Sequence, residues 1–112
     1  MESSSRKPDD DAEAWYDKGV LLGVQGDQVN SMKCYDRAVE INPYLAKAWK
    51  HKGFLYRKQD DFENAMKCFD RAVEINPNLA EAWLGKALLY EEQGDKENAM
   101  KCKIRAIQTG KL

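Results

Sequence analysis

The stretch MKCYDRAVEINP at residues 32–43 returns as MKCFDRAVEINP at 66–77, and its first three residues return as MKC at 100–102. The interval is 34 residues each time (66 − 32 and 100 − 66). Working outward, AEAW at 12–15, AKAW at 46–49 and AEAW at 80–83 place Trp15, Trp49 and Trp83 at the same interval. A fixed period of this length marks an array of helix–turn–helix units. Each unit is too small to bury its own apolar face and is stabilised by stacking on its neighbours.

Each unit divides into two amphipathic segments, at 12–25 and 28–41, 45–59 and 62–75, and 79–93 and 96–109. The punctuation agrees between units. Gly26 and Gly94 stand where a helix ends in the left-handed conformation, with Asp60 in the same slot of the middle unit. Asp27, Asp61 and Asp95 follow as N-caps of the second segments. Asn42-Pro43 and Asn76-Pro77 close the first two units, because proline cannot continue a helix interior but suits the start of the next helix. No period-two alternation occurs, so the expected fold is all-α, six antiparallel helices in three units. The units are drawn at 12–45, 46–79 and 80–112, after an N-terminal tail at 1–11. That tail is Ser-rich and charged, contains Pro8, and is expected to be disordered.

The chain has 112 residues, enough for one small domain. Its 43% hydrophobic and 33% charged residues are ordinary for a soluble globular protein. The formal net charge of −1 gives no overall field that would favour nucleic acid or an anionic membrane surface. No apolar run is long enough for a membrane span, and MESSSRKPDDD lacks the apolar core of a signal peptide. Glu2 stands where myristoylation requires glycine. These features lead to the expectation of a cytoplasmic protein that binds neither nucleic acid nor membrane.

Cys34, Cys68 and Cys102 also recur at one equivalent position per unit. Neighbouring helices pack about 8–10 Å apart, whereas a disulfide needs Cα atoms within about 7 Å. The spacing matches no zinc pattern, and His51 is the only histidine. Three separate reduced thiols are expected, with no metal and no cofactor. A lone histidine, scattered cysteines and no glycine-rich phosphate loop leave no constellation for catalysis, so no enzymatic activity is expected.

Small residues recur as well. Gly19, Gly53 and Ala87 are equivalent on the first helices. Ser31, Ala65 and Ala99, then Ala38, Ala72 and Ala106, are equivalent on the second. Glycine inside a helix is unfavourable by about 0.5–1 kcal/mol relative to alanine, so its repetition suggests close backbone approach within a unit. Trp15, Trp49 and Trp83, Leu22, Tyr56 and Tyr90, and Tyr35 and Phe69 are the large residues expected to fill the core, each tryptophan within its own unit.

The order Trp49, Gly53, Tyr56, Ala65, Phe69, Ala72, Pro77 resembles the tetratricopeptide repeat, and the resemblance extends over residues 12–112. The regularity of the units resembles prokaryotic, archaeal included, members of that family. Lys18, Lys52 and Lys86 depart from it, standing where the family usually has leucine. Ala87, Lys103 and Lys111 replace the glycine, aromatic and proline in the last unit. Because terminal units need a polar outer face, Lys103 suggests that the third unit ends the solenoid.

The resemblance implies a right-handed superhelical solenoid whose first helices line a concave groove. It further implies a scaffold that binds a peptide or helix from a protein partner there. The groove residues it implies are Tyr16, Val20, Lys47, Lys50, Phe54, Arg57, Lys58, Leu84 and Leu88. They read as an apolar floor of Tyr16, Val20, Phe54, Leu84 and Leu88, crossed by a basic band of Lys47, Lys50, Arg57 and Lys58, with acidic residues towards the third unit. Family members that hold the acidic tails of heat-shock chaperones use a two-carboxylate clamp of Lys, Asn and Arg. The matching positions here are Tyr16, Val20, His51, Glu81 and Gly85, so a carboxylate clamp is not expected. The alternative to a groove-binding scaffold is a self-assembling module that forms a weak homo-oligomer through solenoid-end or groove contacts.

Overall fold

The computed structural model describes residues 11–110, and among them contains six α-helices and no strand. They are α1 (Ala12–Val24), α2 (Gln28–Ile41), α3 (Ala46–Lys58), α4 (Phe62–Ile75), α5 (Ala80–Glu92) and α6 (Lys96–Gly110). The pairs α1/α2, α3/α4 and α5/α6 form the hairpins of a helical solenoid. Of the tail expected at 1–11, residues 1–10 lie outside the described residues. Asp11 belongs to the fold: its carboxylate accepts the backbone N–H groups of Glu13 and Ala14 and caps α1.

Local chemistry sets the helix ends. Gly26, Gly94 and Asp60 adopt φ of 87°, 81° and 60° and turn the chain between paired helices. Asp27, Asp61 and Asp95 then accept the backbone N–H of Asn30, Asn64 and Asn98 at 3.1, 3.2 and 3.1 Å. Each asparagine side chain also donates to the second carboxylate oxygen at 2.8 Å, so one aspartate accepts two bonds from the same residue. These bonds hold the Asp27 and Asp95 carboxyl groups below the ordinary range, the asparagine side-chain bond contributing most.

The core forms two clusters. One is built around Tyr35, Val39, Leu45 and Leu55, the other around Phe69, Val73, Ala82 and Leu89. Trp49 packs against both. This corrects the expectation that each tryptophan packs within its own unit. The indole N–H needs an acceptor, and the preceding Asn-Pro turn offers a carbonyl. Trp49 Nε1 donates to Pro43 O and Trp83 Nε1 to Pro77 O, both at 2.8 Å. Trp49 and Trp83 therefore fasten the second and third units to the one before.

The glycines make room for rings rather than for bare backbone. A Cβ on Gly19 would stand 2.6 Å from the Tyr35 ring, and one on Gly53 2.7 Å from the Phe69 ring. Gly85, from the next unit, would place a Cβ 2.4 Å from that same Phe69 ring. In the third unit the ring position is Lys103, which reaches out to an ion pair with Glu91, and Ala87 is accommodated in place of glycine. The exposed face of α6 is mixed, not wholly polar as Lys103 suggested: Met100, Ile104 and Ile107 are 56%, 47% and 68% exposed beside exposed Lys101, Arg105 and Gln108.

Gly53→Leu and Gly85→Ala are each expected to destabilise the chain by about 1–3 kcal/mol through overpacking against Phe69. Lys103→Ala, which removes a half-exposed pair, is expected to stay within about 1 kcal/mol. Urea denaturation followed by circular dichroism checks all three. A neutral Gly85→Ala would contradict the packing described for Phe69.

Candidate binding groove

The first helices lie on the inner side of the curve, where α3 touches α5. Between α1 and α3 a cleft of about 220 Å³ opens to solvent. Val20, Phe54 and Lys58, three of the nine expected groove residues, line it together with Val24, Tyr35 and His51. Phe54 is half-buried, its ring set edge-on against Phe69 with centroids 4.9 Å apart. Tyr16 does not line the cleft but stands behind it, with its ring 5.4 Å from His51 and 5.8 Å from Tyr35. Burial raises the Tyr16 phenol above its ordinary pKa. Leu84 is exposed and Leu88 half-buried on α5, and neither lines the cleft. The apolar floor expected across three units is a cleft confined to two.

The basic band carries less free charge than its sequence suggests. Lys47 Nζ pairs with Glu13 Oε1 at 2.8 Å and lies 4.6 Å from the Tyr16 ring centre. Lys50 pairs with Glu81 and is itself buried. Arg57 donates through Nε and Nη2 to Glu92 Oε2, at 3.0 and 2.6 Å. The hydrogen bond from Lys50, then its charge, holds the Glu81 carboxyl below its ordinary pKa. Lys58 is exposed and forms no ion pair among the described residues. The signal for this pairing lies in the sequence. Adjacent first helices run side by side, so opposite charges close to one period apart become neighbours. Glu13, Lys47 and Glu81 occupy one repeat position and alternate in sign.

His51 is one of the lining residues outside the expected set, with Val24 and Tyr35. Its ring stacks on Tyr35 with centroids 5.3 Å apart and meets Tyr16 edge-on. Burial first, then the nearby Lys50 charge, lowers its pKa from 6.5 to about 4. It is a neutral part of the cleft wall at physiological pH.

Cys34, Cys68 and Cys102 are buried and none is in a disulfide. Burial raises all three thiol pKa values, that of Cys68 to about 11. Among the described residues, no cluster of His, Cys, Asp or Glu is placed to hold a metal ion. No helix among them is long and apolar enough to cross a membrane.

Three family models described as Tetratricopeptide repeat match the chain, at residues 12–44, 46–79 and 68–101. The chain belongs to the tetratricopeptide repeat family. The match at 68–101 begins within α4, out of step with the hairpins, so the third unit is matched only in part. Two crystal structures of MamA share the fold. One has a TM-score of 0.84 at 22% identity, covering 91% of this chain and 60% of that one. The other has a TM-score of 0.81 at 23% identity, covering 90% and 55%. The chain thus spans little more than half the length of these proteins, and at this identity the likeness is one of fold. Among curated proteins, none matches the chain.

The buried His51 sets a pH dependence. Because its pKa is depressed on folding, the unfolded chain binds more protons between pH 6.5 and about 4. Its contribution to stability is therefore present above pH 6.5 and is lost as pH falls towards 4. Thermal melts across that range should show the midpoint falling with acidification, and His51→Phe should flatten the fall. Equal pH slopes in both proteins would contradict a desolvated His51.

Proposed function

We propose that the chain is a non-catalytic scaffold that holds an amphipathic peptide or helix of a protein partner in the groove formed by its first helices. The observation that carries this reading is the open cleft in which Val20, Val24 and Phe54 adjoin Lys58, the groove cation without an ion pair among the described residues. Helix-in-groove recognition rests on an apolar anchor in such a cleft with polar contacts at its rim. The anchor is assigned to the Val20–Phe54 wall, where fully burying a large apolar side chain contributes about 1.5–3 kcal/mol. A ligand carboxylate beside the anchor meets Lys58. Lys47, Lys50 and Arg57 take part only by exchanging Glu13, Glu81 and Glu92 for ligand carboxylates, which makes them poor sources of net affinity. Tyr16, Leu84 and Leu88 extend the surface on either side of the cleft. Glu81 at a clamp position disfavours a chaperone tail. A second reading, self-association through the α6 end, is favoured by the exposed Met100, Ile104 and Ile107.

A library of helical peptides displayed on phage and selected on the full chain tests the groove, with calorimetry of the selected peptide. Phe54→Ala is expected to remove most of the binding, as a central anchor does. Val24→Glu does the same from an exposed position where the core is untouched. Lys58→Ala weakens binding modestly, and less so at high salt. Unchanged binding to Val24→Glu together with loss in Arg71→Glu, on the second helices, would move the site to the outer face.

A further inference from the structure

The two junctions inside the chain show what the end face of a unit receives. Where α2 meets α3, Lys52 Nζ lies 4.8 Å from the Trp49 ring centre and 2.8 Å from Asp36 Oδ1. Where α4 meets α5, Lys86 Nζ lies 5.1 Å from the Trp83 ring centre and 2.7 Å from Asp70 Oδ1. Both lysine side chains are largely enclosed, 11% and 15% exposed. Three residues after each aspartate, on the same helix, Val39 and Val73 are buried. At the first junction the Arg71 guanidinium also lies over the Tyr44 ring, 5.4 Å from its centre.

The same receiving surface recurs at the α1/α2 end, where the described residues provide nothing to fill it. Trp15, Lys18 and Leu22 of α1, with Lys33, Cys34 and Arg37 of α2, line an open cavity of about 490 Å³. They are the period equivalents of residues at both internal junctions. Lys18 Nζ sits 5.4 Å from the Trp15 ring centre, in the pose of its counterparts. Unlike them it is exposed, and no carboxylate pairs with it among the described residues. Among the described residues no acidic side chain lines the cavity, although Arg37 holds Glu40 at its rim. None of the lining residues is shared with the groove cleft.

We infer that this end cavity is a docking site for a helix of a protein partner that carries a carboxylate and, three residues later, a β-branched apolar residue. The carboxylate pairs with Lys18 over the Trp15 ring, as Asp36 does with Lys52 and Asp70 with Lys86 inside the chain, and the apolar residue, the counterpart of the buried Val39 and Val73, enters the cavity. A second copy of this chain lacks the first requirement. Its α6 presents Ile104 at the position equivalent to Asp36 and Asp70, which leaves Lys18 uncompensated.

The probe is the chain's own donor segment, residues 28–45 (QVNSMKCYDRAVEINPYL), made with Cys34→Ser. A staple between positions 33 and 37 holds it helical, since so short a helix is marginal in water. Fluorescence anisotropy against the full chain should show saturable binding. Lys18→Glu should weaken it at least about tenfold, as for a charge pair enclosed at an interface. The Asp36→Lys peptide should bind the wild-type chain poorly and the Lys18→Glu chain well. Val24→Glu, which strikes the groove, should leave peptide binding unchanged, so that failure of the groove and failure of this site are told apart. Absence of saturable binding overturns the inference, as does insensitivity to Lys18→Glu. Binding abolished by Lys52→Glu alone would mean that the peptide displaces α2 from α3, and overturns it too. Concentration-dependent sedimentation of the chain that Lys18→Glu abolishes would make the occupant a second copy.

Discussion

The seat of the Phe69 ring fixes how the last two hairpins join. The ring is fully buried, and it lies against Gly53 on α3 and Gly85 on α5 at distances that leave no space for a Cβ on either. One aromatic side chain on α4 thus sets how closely α3 and α5 approach. The ring is large, and burying it contributes most where packing is complete on both faces. The glycines are unfavourable for helix propensity, but they create the flat surface on which the ring rests. Phe54, the proposed anchor of the groove, packs edge-on against the same ring, so the groove wall takes its position from the core behind it.

The first junction meets the same need differently. Tyr35 replaces Phe69, and the counterpart of Gly85 is His51, which stacks on the tyrosine instead of leaving space for it. Ser31 replaces the alanine found at 65 and 99, and its hydroxyl donates to the Gly19 carbonyl at 2.7 Å. The Ser31 bond lies within the first hairpin, so what distinguishes the first junction itself is the His51 ring. A titratable ring stacks on the core aromatic there, whereas at the second junction Phe69 meets a glycine and the polar contacts are ion pairs such as Lys86–Asp70. The cleft between α1 and α3 has His51 in its wall, whereas the opening between α3 and α5 is lined by Arg57, Asp60, Phe62, Leu89, Glu92 and Gln93.

The helices, their caps and their turns were legible because each is encoded locally and three times over. Gly26 and Gly94, with Asp60 in their place, and the aspartates that follow state the same turn in each unit. The recurring glycines signal a close approach without naming the partner. A repeat pattern reveals that Gly53 must be small without revealing that a ring from α4 is what presses on it. Gly85 was hidden because it is not at the repeated glycine position. The groove charges are hidden for a related reason. Lys47, Lys50 and Arg57 form one basic band along their own helix, but each pairs with a carboxylate on a flanking helix contributed by another unit.

Those cross-unit charges govern register more than stability. An exposed pair such as Lys47–Glu13 contributes at most about 1 kcal/mol. Lys52 and Lys86 differ, because they are nearly enclosed and would be left without compensation if the stacking slipped. An unpaired enclosed ammonium is strongly unfavourable, whereas a correctly paired one adds little beyond an apolar side chain of the same volume. The lysines at 52 and 86, where related units usually carry leucine, therefore reject misaligned stacking and demand an aspartate from the unit before. A solenoid built by that rule has an end that retains the demand. In the proposed end site a carboxylate beside Lys18 would be selected by the same electrostatics once a partner helix encloses that lysine, as Lys52 and Lys86 are enclosed within the chain.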